Sequence, residues 1–245
     1  MVEPVVPKVG RAVLHLFCVP RPETDGEALA AAVKRAEGDG DQVVPVALLG
    51  HKGDLAFMVL AGDWWRLRRF QTDVQAAGLE VVDSYVSMTE LSEYAQGVPD
   101  EMKQARLHPD LPPAGKPAWC FYPMSKRRGL DRLPVVDGDG EPVGTADADQ
   151  NWFTLPYDRR KELMYEHGAS GRTFAGRILQ VVTGSTGVDD HEWGVTLFGE
   201  HPDDLKEVVY TMRYDTASAR YGEFGTFYTG LVTDVDGLIA ELGLA

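Results

Sequence analysis

The chain is short of cysteine, of long apolar runs and of positive charge, and each shortage excludes something. Only Cys18 and Cys120 occur in 245 residues. Both lie in apolar, strand-like runs, so buried reduced thiols are expected rather than a disulfide framework. Acidic residues outnumber basic ones by 38 to 24, for a formal net charge of -14. That balance argues against nucleic acid and anionic membrane as main partners, since both need a basic surface. No apolar run approaches the roughly 20 residues of a membrane-spanning helix. The start, Met1 to Arg11, lacks the apolar core of a signal peptide. A cytoplasmic location is therefore expected. Also missing are a Gly-x-Ser-x-Gly elbow, a Walker loop, a His-Glu-x-x-His pair and a Gly-x-Gly-x-x-Gly fingerprint between strand and helix. His15, His51, His108, His191 and His201 form no metal-ligand spacing.

What is present alternates between strand and helix. Ala12–Val19 reads as a buried strand, and Thr24–Ala36 as a helix with Leu29, Ala32 and Val33 at helical spacing and Thr24 or Asp25 as its cap. Gln42–Leu49 and Asp54–Leu60 read as strands, the first placed at an edge or a bulge by Pro45. Asp63 opens a helix that buries Trp64, Leu67, Phe70 and Val74, and Gly78 ends it before the strand Leu79–Ser87. The order β-α-β-β-α-β is the ferredoxin-like unit. Thr89–Arg106 is polar and expected to be helical, and Leu107–Lys116 is a proline-rich connector.

The order then recurs. Ala118–Met124 is a strand, Pro156–His167 a helix, Gly176–Thr183 and Glu192–Phe198 strands, Asp203–Met212 a helix and Gly225–Val232 a strand, with a helical turn at Leu238–Leu244. The expected fold is α+β: duplicated ferredoxin-like halves, residues 1–106 and 117–245 about the 107–116 connector, forming an antiparallel barrel-like sheet. Residues 129–150 break the pattern. Leu133–Val136 and Glu141–Val143 flank Asp137-Gly138-Asp139-Gly140 and suggest an inserted hairpin. A calcium loop is the sharper reading of Asp137, Asp139 and Glu141, but Pro142 stands where such a loop needs glycine.

Two stretches carry chemistry-bearing residues. In Leu163-Met164-Tyr165-Glu166-His167-Gly168 a histidine closes an amphipathic helix and a glycine follows it. Histidine is a common metal and haem ligand, yet a lone helical histidine is more often a packed or surface group. In Tyr122-Pro123-Met124-Ser125-Lys126-Arg127-Arg128 three cations follow a strand in an acidic chain. Such a run suits carboxylates or phosphates, or is simply a solvated loop. Tyr122 is a proton or electron donor, or only packing. Trp152 is a core anchor or a pocket wall. Gln180 reaches a pocket or faces solvent. Ser218 binds an anion or caps a turn.

Taken together, YPMSKRR, NW, LPYDRRKELMYEHGASGRTFAG, LQVVTGSTGVDDHEWGVTLF and MRYDTASARYGEFGTFYTG resemble the chlorite dismutase-like family, and within it the coproheme decarboxylases of actinobacterial type. The match is dense from about Ser84 to Val232, follows only the order of elements before that, and fails across 129–150. The resemblance implies a homopentamer in the cytoplasm that removes two propionates of iron-coproporphyrin III (coproheme) as carbon dioxide, with hydrogen peroxide as oxidant, leaving haem b. It also implies transient contact with a coproporphyrin ferrochelatase. The iron porphyrin is then both substrate and redox cofactor, held without covalent attachment because no Cys-x-x-Cys-His occurs.

By position, the resemblance makes His167 the proximal iron ligand and Tyr122 the tyrosine oxidised during decarboxylation. Lys126 and Ser218 become propionate contacts, and Met124 and Trp152 line the pocket. His108 is the nearest candidate for the distal base. Two positions separate decarboxylase from dismutase. Gln180 stands where the dismutases carry a distal arginine. Ala217 lies where a glutamate would hydrogen-bond the proximal histidine, so His167 is expected to lack a carboxylate partner. A non-catalytic carrier of haem or coproheme, and chlorite dismutation, are the alternatives.

Overall fold

The computed structural model describes residues 2–95, 97–128, 134–145 and 151–244. Its first half runs β1 (Ala12–Pro20), α1 (Gly26–Gly38), β2 (Gln42–Leu49), β3 (Leu55–Ala61), α2 (Trp64–Ala76) and β4 (Leu79–Thr89), followed by α3 (Asp100–Leu107). The second half carries β5 (Ala118–Lys126), the short strands β6 (Pro134–Val136) and β7 (Pro142–Thr145), α4 (Tyr157–Arg172), β8 (Ile178–Gly184), β9 (Trp193–Gly199), α5 (Pro202–Met212), α6 (Thr216–Tyr221), β10 (Gly222–Phe224), β11 (Tyr228–Val232) and α7 (Val235–Glu241). The caps follow local chemistry. The Asp25, Asp63, Asp215 and Asp234 side chains each accept a first-turn N–H of the helix that follows, satisfying donors that the helix itself leaves free.

The strands form one antiparallel sheet in the order β10-β5-β11-β2-β3-β1-β4-β8-β9, and β5 also pairs with β9. That last pairing closes eight strands into a barrel and leaves β10 as a flap on β5. Closure removes the edges that an open sheet would expose. Period-two alternation then sorts the side chains. Val13, Phe17, Val44, Met58, Leu60, Trp119, Phe121 and Phe198 fill the lumen. On the outside, Leu14, Leu16, Phe57 and Val59 pack under α1, α2 and α7, while Cys120, Tyr122, Val195 and Leu197 pack with Leu205 and Val208 of α5. At Gly194 the lumen is so tight that a Cβ would meet the Tyr85 ring at 2.8 Å and Phe121 at 3.1 Å.

Several expectations are corrected. Pro45 lies neither at an edge nor at a bulge: β2 is flanked by β3 and β11. The proline is tolerated because the β11 ladder ends at Val232, opposite Val46, and past it Thr233 N–H donates to Pro45 O at 3.2 Å, a bond that uses the proline's carbonyl and not its missing N–H. Residues 89–106 are helical only from Asp100, where Asp100 and Glu101 favour the helix N-terminus. Helix α4 runs on to Arg172, so His167 and Gly168 are interior to it. A glycine costs about 1 kcal/mol inside a helix, and packing of α4 against α5 and α6 overrides that local cost. In the insertion, β6 and β7 pair antiparallel, and Asp137 Oδ1 accepts the N–H groups of Asp139 and Glu141 within the turn. Residues 129–133 and 146–150 lie outside the described residues. Among the described residues, no helix is long and apolar enough to cross a membrane.

Candidate functional site

His167 projects from α4 toward α6. Its Nδ1 lies 3.0 Å from Asp215 Oδ2 and 3.3 Å from Ser218 Oγ. Ser218 Oγ–H donates to the same Asp215 oxygen at 3.1 Å, and Asp215 Oδ1 accepts the Ser218 backbone N–H at 2.8 Å. Asp215 therefore caps α6 with one oxygen and holds the imidazole with the other. Burial alone would raise this carboxyl. The hydrogen bond and charge of His167, with the Ser218 bonds, outweigh that and hold it below the usual carboxylate range. An ionised carboxylate only accepts, so Nδ1 carries a proton, and whenever the ring is neutral its lone pair is on Nε2. Among the described residues Nε2 has no hydrogen-bond partner, and a quarter of the side chain is exposed. This arrangement suits a metal ligand, whose second nitrogen donates to a carboxylate that fixes the tautomer and raises ligand basicity.

The Asp215 contact overturns the expectation that His167 lacks a carboxylate partner. Ala217 indeed supplies none. Its side chain is fully buried in a cluster with Trp152, Leu155, Leu163 and Tyr221, where an acid would have no room. Asp215, two residues earlier, reaches the ring instead. The only sequence signal for it is the N-cap pattern Asp215-Thr-Ala-Ser218, and nothing local tells that the cap faces a residue 48 positions away.

The same short helix also meets a second cluster, through the Ala217 carbonyl and the Tyr221 ring. Lys126 is 5% exposed, and its Nζ donates to Ala217 O at 2.9 Å while lying 4.7 Å from the Trp152 ring centroid. Trp152 packs edge-on against Tyr221 at 5.3 Å. Burial lowers the Lys126 pKa to about 8, against the opposing pull of Asp215 and Glu192. Glu192, also buried, accepts the Lys126 backbone N–H at 2.9 Å and Arg128 Nη2 at 2.7 Å. Arg127 turns the other way, to Glu223 at 3.5 Å. The three consecutive cations are thus divided among a carbonyl and two carboxylates. Of the three, only Lys126 points inward beside α6.

A buried lysine with a lowered pKa has a measurable consequence. The unfolded chain, with a lysine pKa of about 10.4, binds more protons than the folded one between about pH 8 and pH 10, so stability rises with pH across that window. The full effect is about 3 kcal/mol. Urea unfolding of the ligand-free protein at pH 7.5 and pH 10 should show this rise in wild type relative to Lys126→Met. Equal pH dependence in the two proteins would mean that Lys126 is not desolvated in solution.

Tyr122, Met124 and Lys126 alternate with Pro123 and Ser125 along β5 and so share one sheet face. Tyr122 is buried, stacked on Phe227 at 4.4 Å and edge-on to Phe224 at 5.8 Å. Burial pushes its phenol well above the ordinary tyrosine range, so it is neutral at any working pH. Across the sheet Tyr122 is in register with Val195, and Val195 with Val182. Val182 and Gln180 are both exposed on that outer face of β8, Val182 at 41%. The exposed Gln180, a histidine whose Nε2 is unpartnered among the described residues and a buried cation are groups of the kind that suit an iron porphyrin with carboxylate side chains.

His108 stands apart. It is exposed at the end of α3, and the following segment is tied to the first half of the barrel. There Gln42 donates to Pro109 O at 2.9 Å and accepts Leu111 N–H at 2.8 Å. Among the described residues no hydrogen bond or ion pair links His108 to Tyr122, Lys126 or His167.

The chain matches the family model described as chlorite dismutase over residues 23–233. It belongs to the chlorite dismutase family. A protein of Natronomonas pharaonis named for heme binding is 37% identical over 85% of this chain, which covers 34% of that relative. The chain thus spans about a third of the length of this curated relative. Among solved structures, a heme-binding protein from Thermus thermophilus superposes with a TM-score of 0.80 at 32% identity, covering 99% of this chain and 100% of that one. A chlorite dismutase variant from Candidatus Nitrospira defluvii gives 0.70 at 18% identity, covering 96% and 97%, and shows the shared fold alone. The closed antiparallel barrel with outer helices is therefore the architecture of the chlorite dismutase family. Helix α6 packs on α4 and is bonded to β5 through Lys126, so it joins the two clusters described above.

Proposed function

We propose that this chlorite dismutase family member binds iron-coproporphyrin III through His167 and decarboxylates two of its propionates to give haem b, with hydrogen peroxide as oxidant. The observation that carries the proposal is the set His167–Asp215–Ser218, with Nε2 unpartnered among the described residues, joined through α6 to the buried Lys126. Lys126 would hold a propionate, with Trp152 and Met124 as walls and Gln180, two strands away on β8, as the neutral polar group. Ser218 is engaged by Asp215 and His167, so its part is to position the ring as well as to meet a propionate. The bound iron porphyrin supplies both the reacting propionates and the redox chemistry with peroxide.

The protein's own residues do the rest. Asp215 keeps the proton on Nδ1. Buried Tyr122, being neutral, has one hydrogen on its phenol oxygen to give up, and its Phe224 and Phe227 neighbours keep water away from it. Each propionate, one peroxide and one proton become a vinyl group, one carbon dioxide and two waters. The distal base is assigned to His108 by resemblance only. Its exposed place at the end of α3 requires that segment to approach the ligand.

Peroxide titration of the coproheme-loaded protein, followed by porphyrin mass, tests this reading. Two successive losses, each matching one propionate converted to vinyl, are expected. Binding with an unchanged mass would favour a carrier, a reading supported by the heme-binding names of the two relatives. Rapid oxygen release from chlorite would favour dismutation. Asp215 supplies a carboxylate behind His167, so it is Gln180, in place of a distal arginine, that disfavours dismutation. The same contact predicts an effect on the metal. Asp215→Asn retains a good cap for α6 but removes the anion, and loss of such a partner costs roughly 10- to 100-fold in metal affinity or activity. Spectroelectrochemistry should show a higher ferric/ferrous potential in the variant, and an unchanged potential would leave Asp215 with the cap alone.

A further inference from the structure

The lumen of the barrel contains polar groups that the proposed function does not use. His15 on β1, Ser87 on β4, and Trp119 on β5 are each fully buried, and among the described residues His15 Nδ1, Ser87 Oγ and Trp119 Nε1 have no hydrogen-bond partner. Strand register brings them together. His15 pairs with Tyr85, which puts Ser87 on its diagonal, about 7–8 Å away between backbones. From the opposite wall the Trp119 ring comes within 6.4 Å of the imidazole, between centroids, while Phe121 stacks on it at 4.1 Å.

The chemistry of the three groups restricts what can sit among them. Burial lowers the His15 pKa to about 3, so the ring is neutral and carries one proton. Its Nε2 is engaged with Thr196 Oγ1 at 3.0 Å. Whichever tautomer that bond selects, Nδ1 is left as one donor or one acceptor. Trp119 Nε1–H can only donate, and the Ser87 hydroxyl can do either. A cation is excluded by the indole donor and the lack of a carboxylate among these groups, and an anion by the lack of a cation. The occupant must be small and neutral, and must both accept and donate.

We propose that the barrel lumen holds an internal hydration site. In it one or two ordered water molecules accept from Trp119 Nε1–H and bond His15 Nδ1 and Ser87 Oγ. Buried polar atoms rarely go without partners, and a buried water with two to four polar contacts is the usual remedy. The site lies on the lumen face of β5, the face opposite Tyr122, and does not depend on what the outer pocket binds.

Two measurements on the whole wild-type protein test it. In nuclear magnetic resonance, the Trp119 indole proton, identified by its loss in Trp119→Phe, should show a direct cross-peak to slowly exchanging water. In a high-resolution crystal structure, density should appear within hydrogen-bond distance of both Trp119 Nε1 and His15 Nδ1. An indole signal without a water cross-peak, or a lumen with no density between those atoms, overturns the proposal. The crystallographic arm does not depend on whether Trp119→Phe folds.

Discussion

The His167→Ala variant is expected to fold as wild type does and to give no Soret shift with iron-coproporphyrin III or haem b at concentrations that saturate the wild type. Removing a partner behind a metal ligand costs roughly 10- to 100-fold, so removing the ligand itself should cost at least the upper end of that range. The fold should survive because the side chain is partly exposed and belongs to no core cluster. Asp215 and Ser218 remain, with the α6 cap intact, since that cap uses Asp215 Oδ1 and not the oxygen facing His167. Added imidazole should restore part of the spectrum by entering the space left beside Asp215. Retention of a wild-type Soret band by His167→Ala would mean that another residue holds the iron, and the site would have to be moved.

Tyr122→Phe is expected to keep coproheme affinity within about twofold and to lose turnover by roughly 100-fold or more, the scale on which a positioned proton-transfer group contributes. Phenylalanine keeps the ring stack on Phe227 and the edge contact with Phe224, so binding and fold are spared. What disappears is the single hydrogen on the phenol oxygen. That hydrogen is present at every working pH, because burial holds the phenol neutral. Mass spectrometry after peroxide addition should find unconverted coproheme in the variant where wild type gives haem b. Haem b formation by Tyr122→Phe at the wild-type rate would remove Tyr122 from the chemistry. The two variants separate cleanly: one loses binding, the other reaction.

The positions of the strands were legible along the chain because each is a short, β-branched or aromatic run with period-two patterning, bounded by glycine, proline or aspartate. Two helix starts were legible for the same local reason, as Asp25 and Asp63 show, whereas the short helix α6 and its Asp215 cap were not. Gly168 misled because a local cost of about 1 kcal/mol resembles a stop signal, whereas packing against α5 and α6 carries α4 on to Arg172. Pro45 misled because its missing N–H matters only relative to where β11 stops, and that register is set far along the chain, at Val232. The cations after Tyr122 could be counted but not assigned, since Glu192 and Glu223 are brought to them by β9 and β10.

The sequence by itself determined the order of the elements, the alternation that sorts lumen from outer face, and the resemblance that points to an iron porphyrin. Those properties are local, or lie in motifs read along the chain. Only the tertiary structure decided that β5 and β9 close the barrel, that α6 and its cap touch both His167 and Lys126, and that Asp215 rather than residue 217 faces the imidazole. Each of these depends on the meeting of groups far apart in the chain. Their encounter is set by barrel closure and helix packing, which no single stretch of residues encodes.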